Sequence, residues 1–274
     1  MRLAIVTIAA GRHDHLRRQR EWVARLDPAP LTHLVVSMGD PELRGIVAAV
    51  DAPHRVVELP RAEHLPLARA RNTGVDAARD AGADAVALLD VDCLPDRRFV
   101  AVHLDALAAA SASADPAAIS GRVKYLPPGI DDADHTPDNL ALLGEDHDVR
   151  VVPADAALEP GDPRPLWSLN IGMTLDDWDR VGGFDEAYTG YGGEDTDFGQ
   201  RLDAAGGTMW WTGRALAYHQ YHPVSRPPLE HVEDIVRNAE LFRDRWGFVP
   251  MAGWLEEFER RGLVVQSGGR WRVA

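Results

Sequence analysis

Five acids crowd one glycine-rich turn in the stretch GFDEAYTGYGGEDTDFGQRL, which contains Asp185, Glu186, Glu194, Asp195 and Asp197. Acids at a helix start are favoured by the backbone dipole, so capping accounts for one or two of them. It does not account for the Tyr-Gly-Gly before them. Gly192 and Gly193 permit a left-handed backbone and clear space for a ligand. An ionised Asp195 or Glu194 held there could accept a proton from a hydroxyl. A second group of acids ends the apolar run VALLDVDCLP, as Asp90-Val91-Asp92. In an extended segment residues two apart point the same way, so both carboxylates are expected to face one point. Two convergent carboxylates repel unless a cation joins them, and a divalent ion is the usual answer. A turn with an Asp capping the next helix is the simpler alternative, although Asp96 is better placed for that. Further on, ALAYHQYHPVSRP carries His219 and His222, either of which could complete a metal shell with Asp90 and Asp92.

Arg69 and Arg71, in LPLARARNTG, lie on a helix just before the Asp90 strand. In an acidic protein, arginines beside a metal site suggest neutralisation of a diphosphate; a solvated helix face is the alternative. Asp40 follows an apolar strand in HLVVSMGDP, where a carboxylate meets a nucleotide in many α/β sheets, or simply forms the turn before Pro41.

These residues must be positioned by a regular scaffold. Strand-like runs at 2–9, 32–38, 54–60 and 85–90 alternate with helical patterns near 14–25, up to about Val50, 66–83 and 95–110. This alternation predicts an α/β fold with a mostly parallel sheet flanked by helices and ligands beyond the carboxyl ends of the strands. Residues 126–166 are rich in proline and acids and read as a long excursion with a short hairpin, either a lid or a solvated loop. From Pro227 onward two amphipathic helices broken near Gly247–Pro250 form a C-terminal appendage, with Ile235, Leu241, Phe242, Trp246, Trp254 and Phe258 packing inward. The expected division is 1–226 (a nucleotide-binding half 1–125, the excursion, and a catalytic half 167–226) and 227–274.

Acidic residues outnumber basic ones 43 to 29 in the 274-residue chain, a formal charge of −14. That argues against nucleic-acid or anionic-membrane binding as a general activity. The single cysteine, Cys93, excludes an internal disulfide framework. No apolar run reaches the length of a membrane span and the first one is too short for a signal peptide, so a cytoplasmic protein is expected.

Taken in order, AIVTIAAGR, LARARNTG, LLDVDCLP, WSLNIGMTLDDWDRVGGFDEAYTGYGGEDTDFGQRL and YHQYH resemble the GT-A-fold nucleotide-sugar-dependent glycosyltransferases, the inverting bacterial family and the galactosyltransferase-type C-terminal module in particular. The likeness covers roughly residues 2–223 and is most specific from Asn170 to Leu202. It implies a Rossmann-like GT-A sheet and transfer of a hexose from a nucleoside diphosphate sugar, UDP-hexose first, to an acceptor hydroxyl. By the same likeness Asp92 is the main ligand of Mn²⁺ or Mg²⁺, Asp90 contacts ribose or metal, and His219, with His222 as rival, completes the shell. Asp195 becomes the catalytic base of an inverting reaction and Glu194 a sugar contact. Thr7, Arg12, Asp40, Arg69, Arg71, Asn72 and Val91 fall where the family meets the donor nucleotide, and Trp167, Asn170, Gly192 and Gly193 around the sugar. Two other readings remain open at this point: a sugar-1-phosphate nucleotidyltransferase, whose glycine- and lysine-bearing N-terminal signature is missing here, and a non-catalytic sugar- or nucleotide-binding protein.

Overall fold

The β-branched runs of the N-terminal half become strands because they bury both faces under helices. The computed structural model describes residues 1–148 and 152–274. In chain order it shows β1 (Leu3–Ala9), α1 (His13–Val23), β2 (His33–Met38), α2 (Leu43–Ala48), β3 (His54–Leu59), α3 (Leu67–Asp80) and β4 (Ala85–Leu89). Then follow β5 (Cys93–Pro95), α4 (Phe99–Ala110), β6 (Ala117–Tyr125), α5 (Pro137–Leu143), β7 (Glu145–Asp146), β8 (Glu159–Gly161), β9 (Asn170–Thr174), α6 (Leu175–Val181) and α7 (Glu194–Ala204). The last elements are β10 (Thr208–His219), α8 (Val232–Trp246), α9 (Ala252–Arg260), β11 (Val264–Ser267) and β12 (Arg270–Val273).

One sheet runs in the order β3-β2-β1-β4-β9-β6-β10-β5, with β7 added to β6 and β8 to β10. Strands β3, β2, β1 and β4 are mutually parallel, as the βα alternation predicts. Beyond them β9 is inserted antiparallel to both β4 and β6. Apolar residues cover both faces. Val6, Val75, Trp178, Phe184 and Phe198 pack under α3, α6 and α7, and Leu3, Ile5, Leu89, Phe99 and Leu107 pack under α1 and α4.

Two registers place the site. Leu89 of β4 pairs with Asn170 of β9, so Asp90 leaves the sheet beside Leu169 and Ser168. Cys93 of β5 pairs with His219 at the end of β10, which sets Asp92 against the residues following that strand; the Gln220 N–H donates to the Asp92 carbonyl at 2.7 Å.

The excursion is less loose than its composition suggests. Thr136 caps α5, with Pro137 in the first helical turn, Leu140 is fully buried, and β7 extends the sheet at Lys124 and Tyr125. Residues 149–151 of that excursion lie outside the described residues. The C-terminal part holds the two expected helices and also a hairpin, β11–β12, turned by Gly268-Gly269 at φ 60° and 75°. Two positive-φ glycines between strands are the signal of a type I′ hairpin, legible in QSGGRW but not read there. Val264 and Trp271 of the hairpin close a small core with Ile235, Ala239, Leu255 and Phe258.

Candidate active site

The acid-bearing turn at 190–195 depends on glycine. Gly192 and Gly193 both have φ 92°, and Gly193 caps the start of α7. Successive residues of a helix diverge by about 100°, so the acids of its first turn face three directions. Glu194 is buried and meets Arg71, with Nη1 to Oε1 at 3.1 Å. Asp195 faces the carboxyl edge of the sheet, where its Oδ2 accepts the Ser168 N–H at 3.0 Å. Its Oδ1 has no hydrogen-bond partner and lies 3.8 Å from Arg71 Nη1. Asp197 points the opposite way and is fully buried; its Oδ1 accepts from the Tyr188 hydroxyl, Arg245 Nη1 and Trp246 Nε1.

Arg71 is the hub. It is buried, with its guanidinium 5.1 Å over the Phe184 ring, and it also lies 3.8 Å from Asp90 Oδ1. One cation therefore faces three carboxylates. Burial raises the Glu194 carboxyl, and Asp195 adds to the effect against the opposing pull of Arg71. Burial pushes Asp90 up to about 7, offset by Arg71 and reinforced by Asp92, Asp195 and Glu194.

Asp90 and Asp92 do not converge as an extended D-x-D would. Strand β4 ends at Leu89, and the Cys93 N–H closes a turn onto the Asp90 carbonyl at 2.9 Å. That turn separates the carboxylates, sending Asp90 to Arg71 and Asp92 to the histidines. His219 Nε2 is 3.4 Å from Asp92 Oδ1, and His222 Nε2 is 3.2 Å from Asp92 Oδ2. Ligand atoms of these three residues all lie within 4.8 Å of one another. One carboxylate oxygen and two imidazole nitrogens form a set that suits a divalent first-row ion. Although burial opposes it, both imidazoles hold the Asp92 carboxyl below the usual range; burial lowers His219 and favours its neutral, ligand-competent form. The two histidines differ in their second contacts. The His219 ring is stacked against Tyr125, whereas His222 Nδ1 lies 3.1 Å from Arg12 Nη2 and 3.3 Å from the Pro223 carbonyl. The Nε2 atoms of both histidines face Asp92, so either ring can offer that nitrogen to an ion.

Several residues expected at the donor have their polar groups engaged within the scaffold. Thr7 is fully buried; its hydroxyl donates to the Leu89 carbonyl at 2.9 Å and lies 3.0 Å from both Gln19 Oε1 and His33 Nε2. Asn72 exchanges hydrogen bonds with the Phe184 backbone, both at 2.9 Å, and so fastens the segment before the catalytic turn. Asn170 is buried in β9, sharing its amide between His103 Nε2 and the Ala215 carbonyl, at 2.9 Å each. Arg69, two residues from Arg71 and so roughly 200° around α3, is exposed on the far side from the acids. Val91 packs against the cluster of Ala9, Leu16 and Val35. Asp40 does lie at the expected strand end, where its Oδ2 accepts from the Gly11 N–H at 2.8 Å and meets His13 Nε2 at 2.7 Å. Trp167 is half-buried and packs edge-on against His147 of the excursion, at 5.1 Å between centroids.

Residues not singled out from the sequence complete the site. Tyr125 stacks on His219 at 4.7 Å and packs against His147 at 5.3 Å, which links the metal-candidate histidine to Trp167 through rings. Ser168 supplies the N–H that fixes Asp195. From α8, Asn238 reaches the glycine turn, and the signal was present: it occupies a core-facing position of an apolar stripe with Ile235, Ala239 and Phe242.

Part of the chain matches a known family. Residues 162–233 match the family described as the N-terminal domain of galactosyltransferase. Validoxylamine A glucosyltransferase of Streptomyces hygroscopicus subsp. jinggangensis is 34% identical over 90 residues, 32% of this chain; the chain spans 21% of that relative's length. Among solved structures, Staphylococcus aureus TarS 1-349 in complex with UDP-GlcNAc superposes with a TM-score of 0.60 at 12% identity, over 96% of this chain and 78% of that one. The mannosyltransferase PcManGT from Pyrobaculum calidifontis, in complex with GDP-Man and Mn²⁺, gives 0.56 at 15% identity, over 91% of this chain and 66% of that one.

Proposed function

We propose that this GT-A-fold chain, whose residues 162–233 match the galactosyltransferase model, transfers a hexose from a nucleoside diphosphate sugar, UDP-hexose first, to an acceptor hydroxyl. The observation that carries this reading is Asp195: one carboxylate oxygen is fixed by a backbone N–H, and the other is buried without a hydrogen-bond partner, 3.8 Å from Arg71 Nη1. Asp195 takes the proton of the acceptor hydroxyl as that oxygen forms its bond to the anomeric carbon. The bond from that carbon to the diphosphate oxygen breaks on the opposite face, its electron pair leaves with the nucleoside diphosphate, and the configuration inverts. Asp92 and His219, with His222 beside them, would hold a divalent ion. Such an ion supplies positive charge to the departing diphosphate. Arg71 balances the acids around the base, so that three carboxylates can share one pocket. The donors in the TarS and PcManGT complexes support a nucleotide-sugar at this edge, and they differ in base, uridine in one and guanosine in the other.

A panel of UDP, GDP and their sugars, each with and without Mn²⁺, tests the reading by thermal shift and by transfer. A metal-dependent shift with UDP that Asp92→Ala erases is expected, because a ligand selective for the folded state raises its stability. Asp195→Asn should keep that shift and lose about 10²- to 10⁴-fold in turnover, the usual contribution of a general base. A chain that no nucleotide stabilises, or an Asp195→Asn variant with normal turnover, would overturn the assignment.

A further inference from the structure

The C-terminal helix α8 runs behind the catalytic turn and holds it by polar contacts. Asn238 is fully buried, and its Nδ2 donates to three turn carbonyls: Gly192 at 2.7 Å, Thr189 at 3.1 Å and Tyr191 at 3.4 Å. Its Oδ1 is buried without a partner. The reverse amide orientation would set an oxygen against those three carbonyls, so the side chain is committed to this one. One helical turn earlier, Asp234 Oδ2 accepts the Tyr191 N–H at 3.2 Å. Its Oδ1 lies 2.8 Å from both His64 Nδ1 and Arg237 Nη2, and Arg237 also reaches the Thr189 carbonyl. The Gly190 N–H donates to the Leu65 carbonyl at 2.9 Å. Gly190 must be glycine for this approach, since a Cβ there would stand 2.0 Å from Asp234 Oδ2. The far side of α7 is tied to the same helix through Asp197, Arg245 and Trp246.

A turn containing two glycines at φ 92° has few conformational restraints of its own. Its direction, and with it that of the first turn of α7, is set by what fastens it. Building on the assignment of Asp195 as the base, we propose that Asn238 and Asp234 are positioning residues of the transfer reaction. Asn238 fixes the turn that aims Asp195, and Asp234 ties that turn to residues 64–65, which lead into the helix carrying Arg71. Neither residue touches the reacting atoms. Helix α8 thereby supports the turn through these two side chains.

The test compares Asn238→Ala with Leu255→Ala, which opens the C-terminal core and removes none of the hydrogen bonds to the turn. Kinetic constants and hydrogen exchange of the 189–195 amides are measured on both, at temperatures equally far below their melting points. Asn238→Ala is expected to lower kcat by about 100-fold, the scale of a misplaced catalytic group. The donor KM and the nucleotide-dependent thermal shift should stay unchanged, and exchange at 189–195 should rise. Leu255→Ala should leave kcat and that exchange as in the parent. Asp234→Asn, which keeps an oxygen for the Tyr191 N–H, should retain more kcat than Asp234→Ala. Equal kcat losses in Asn238→Ala and Leu255→Ala, or unaltered exchange at 189–195 in Asn238→Ala, would overturn the proposal. Exchange is read without turnover, so it decides the clamp independently of whether the transfer reading survives.

Discussion

Replacing Arg71 with methionine keeps most of its bulk and removes the one cation among Asp90, Glu194 and Asp195. At an effective dielectric of about 20, Coulomb's relation gives about 5 kcal/mol for the 3.1 Å contact with Glu194 and about 4 kcal/mol for the 3.8 Å contact with Asp195. Asp90 is at the same 3.8 Å but 37% of its side chain is exposed, so water screens it further. Desolvation of the buried guanidinium offsets most of this attraction, and breaking such a buried group leaves a net loss of about 3–5 kcal/mol. The sign of its pH dependence follows from the same contacts. Arg71 holds Asp90 and Glu194 down against burial, so its removal raises both folded-state values further. A group raised in the folded state contributes stability that is present below its unfolded value and lost as pH rises through the folded one. The penalty of Arg71→Met should therefore be largest near pH 8 and shrink toward pH 5.5, as the acids take up protons. Urea unfolding of both proteins in metal-free buffer at about those two pH values measures it by linear extrapolation. A loss under about 1 kcal/mol at the higher pH, or a larger loss at the lower one, would refute the view of Arg71 as the compensating charge of the acid cluster.

Two further outcomes concern the scaffold. Burial pushes His103 down to about 4, so stability should fall as pH drops from about 6.5 toward 4, at up to about 1.4 kcal/mol per unit for that one proton; His103→Leu should flatten the urea-derived slope in that window. In α7, Gly199→Ala gains about 1 kcal/mol of helix propensity, but the added Cβ would stand 2.1 Å from the Pro163 carbonyl, and overpacking of about 1–3 kcal/mol decides the sign. Urea midpoints should fall, and a rise would show that residues 163–166 can retreat from α7.

The order of elements and the parallel half of the sheet were legible because apolar period and glycine or proline punctuation are local properties. Acids on a Tyr-Gly-Gly turn, an Asp ending a buried strand and paired late histidines pointed to the site for the same reason: each needs only its neighbours in sequence. What each polar side chain binds is a different matter. Thr7 and Asn170 sit in segments that carry the family resemblance, yet their hydroxyl and amide are consumed inside the sheet. The turn at residues 90–93 sends Asp90 and Asp92 apart although an extended D-x-D would align them. His219 reaches Asp92 only through the pairing of β10 with β5.

By itself, then, the sequence determined the strand and helix program, the glycine turn and the chemical types available for catalysis, since these follow from local propensity and residue identity. Tertiary structure alone decided which carboxylates share Arg71, which histidine nitrogen faces Asp92 and that α8 fastens the glycine turn. Those contacts join residues such as Arg71 and Glu194, or Asn238 and Gly192, that the chain separates widely. Only sheet register and helix packing fix their distances.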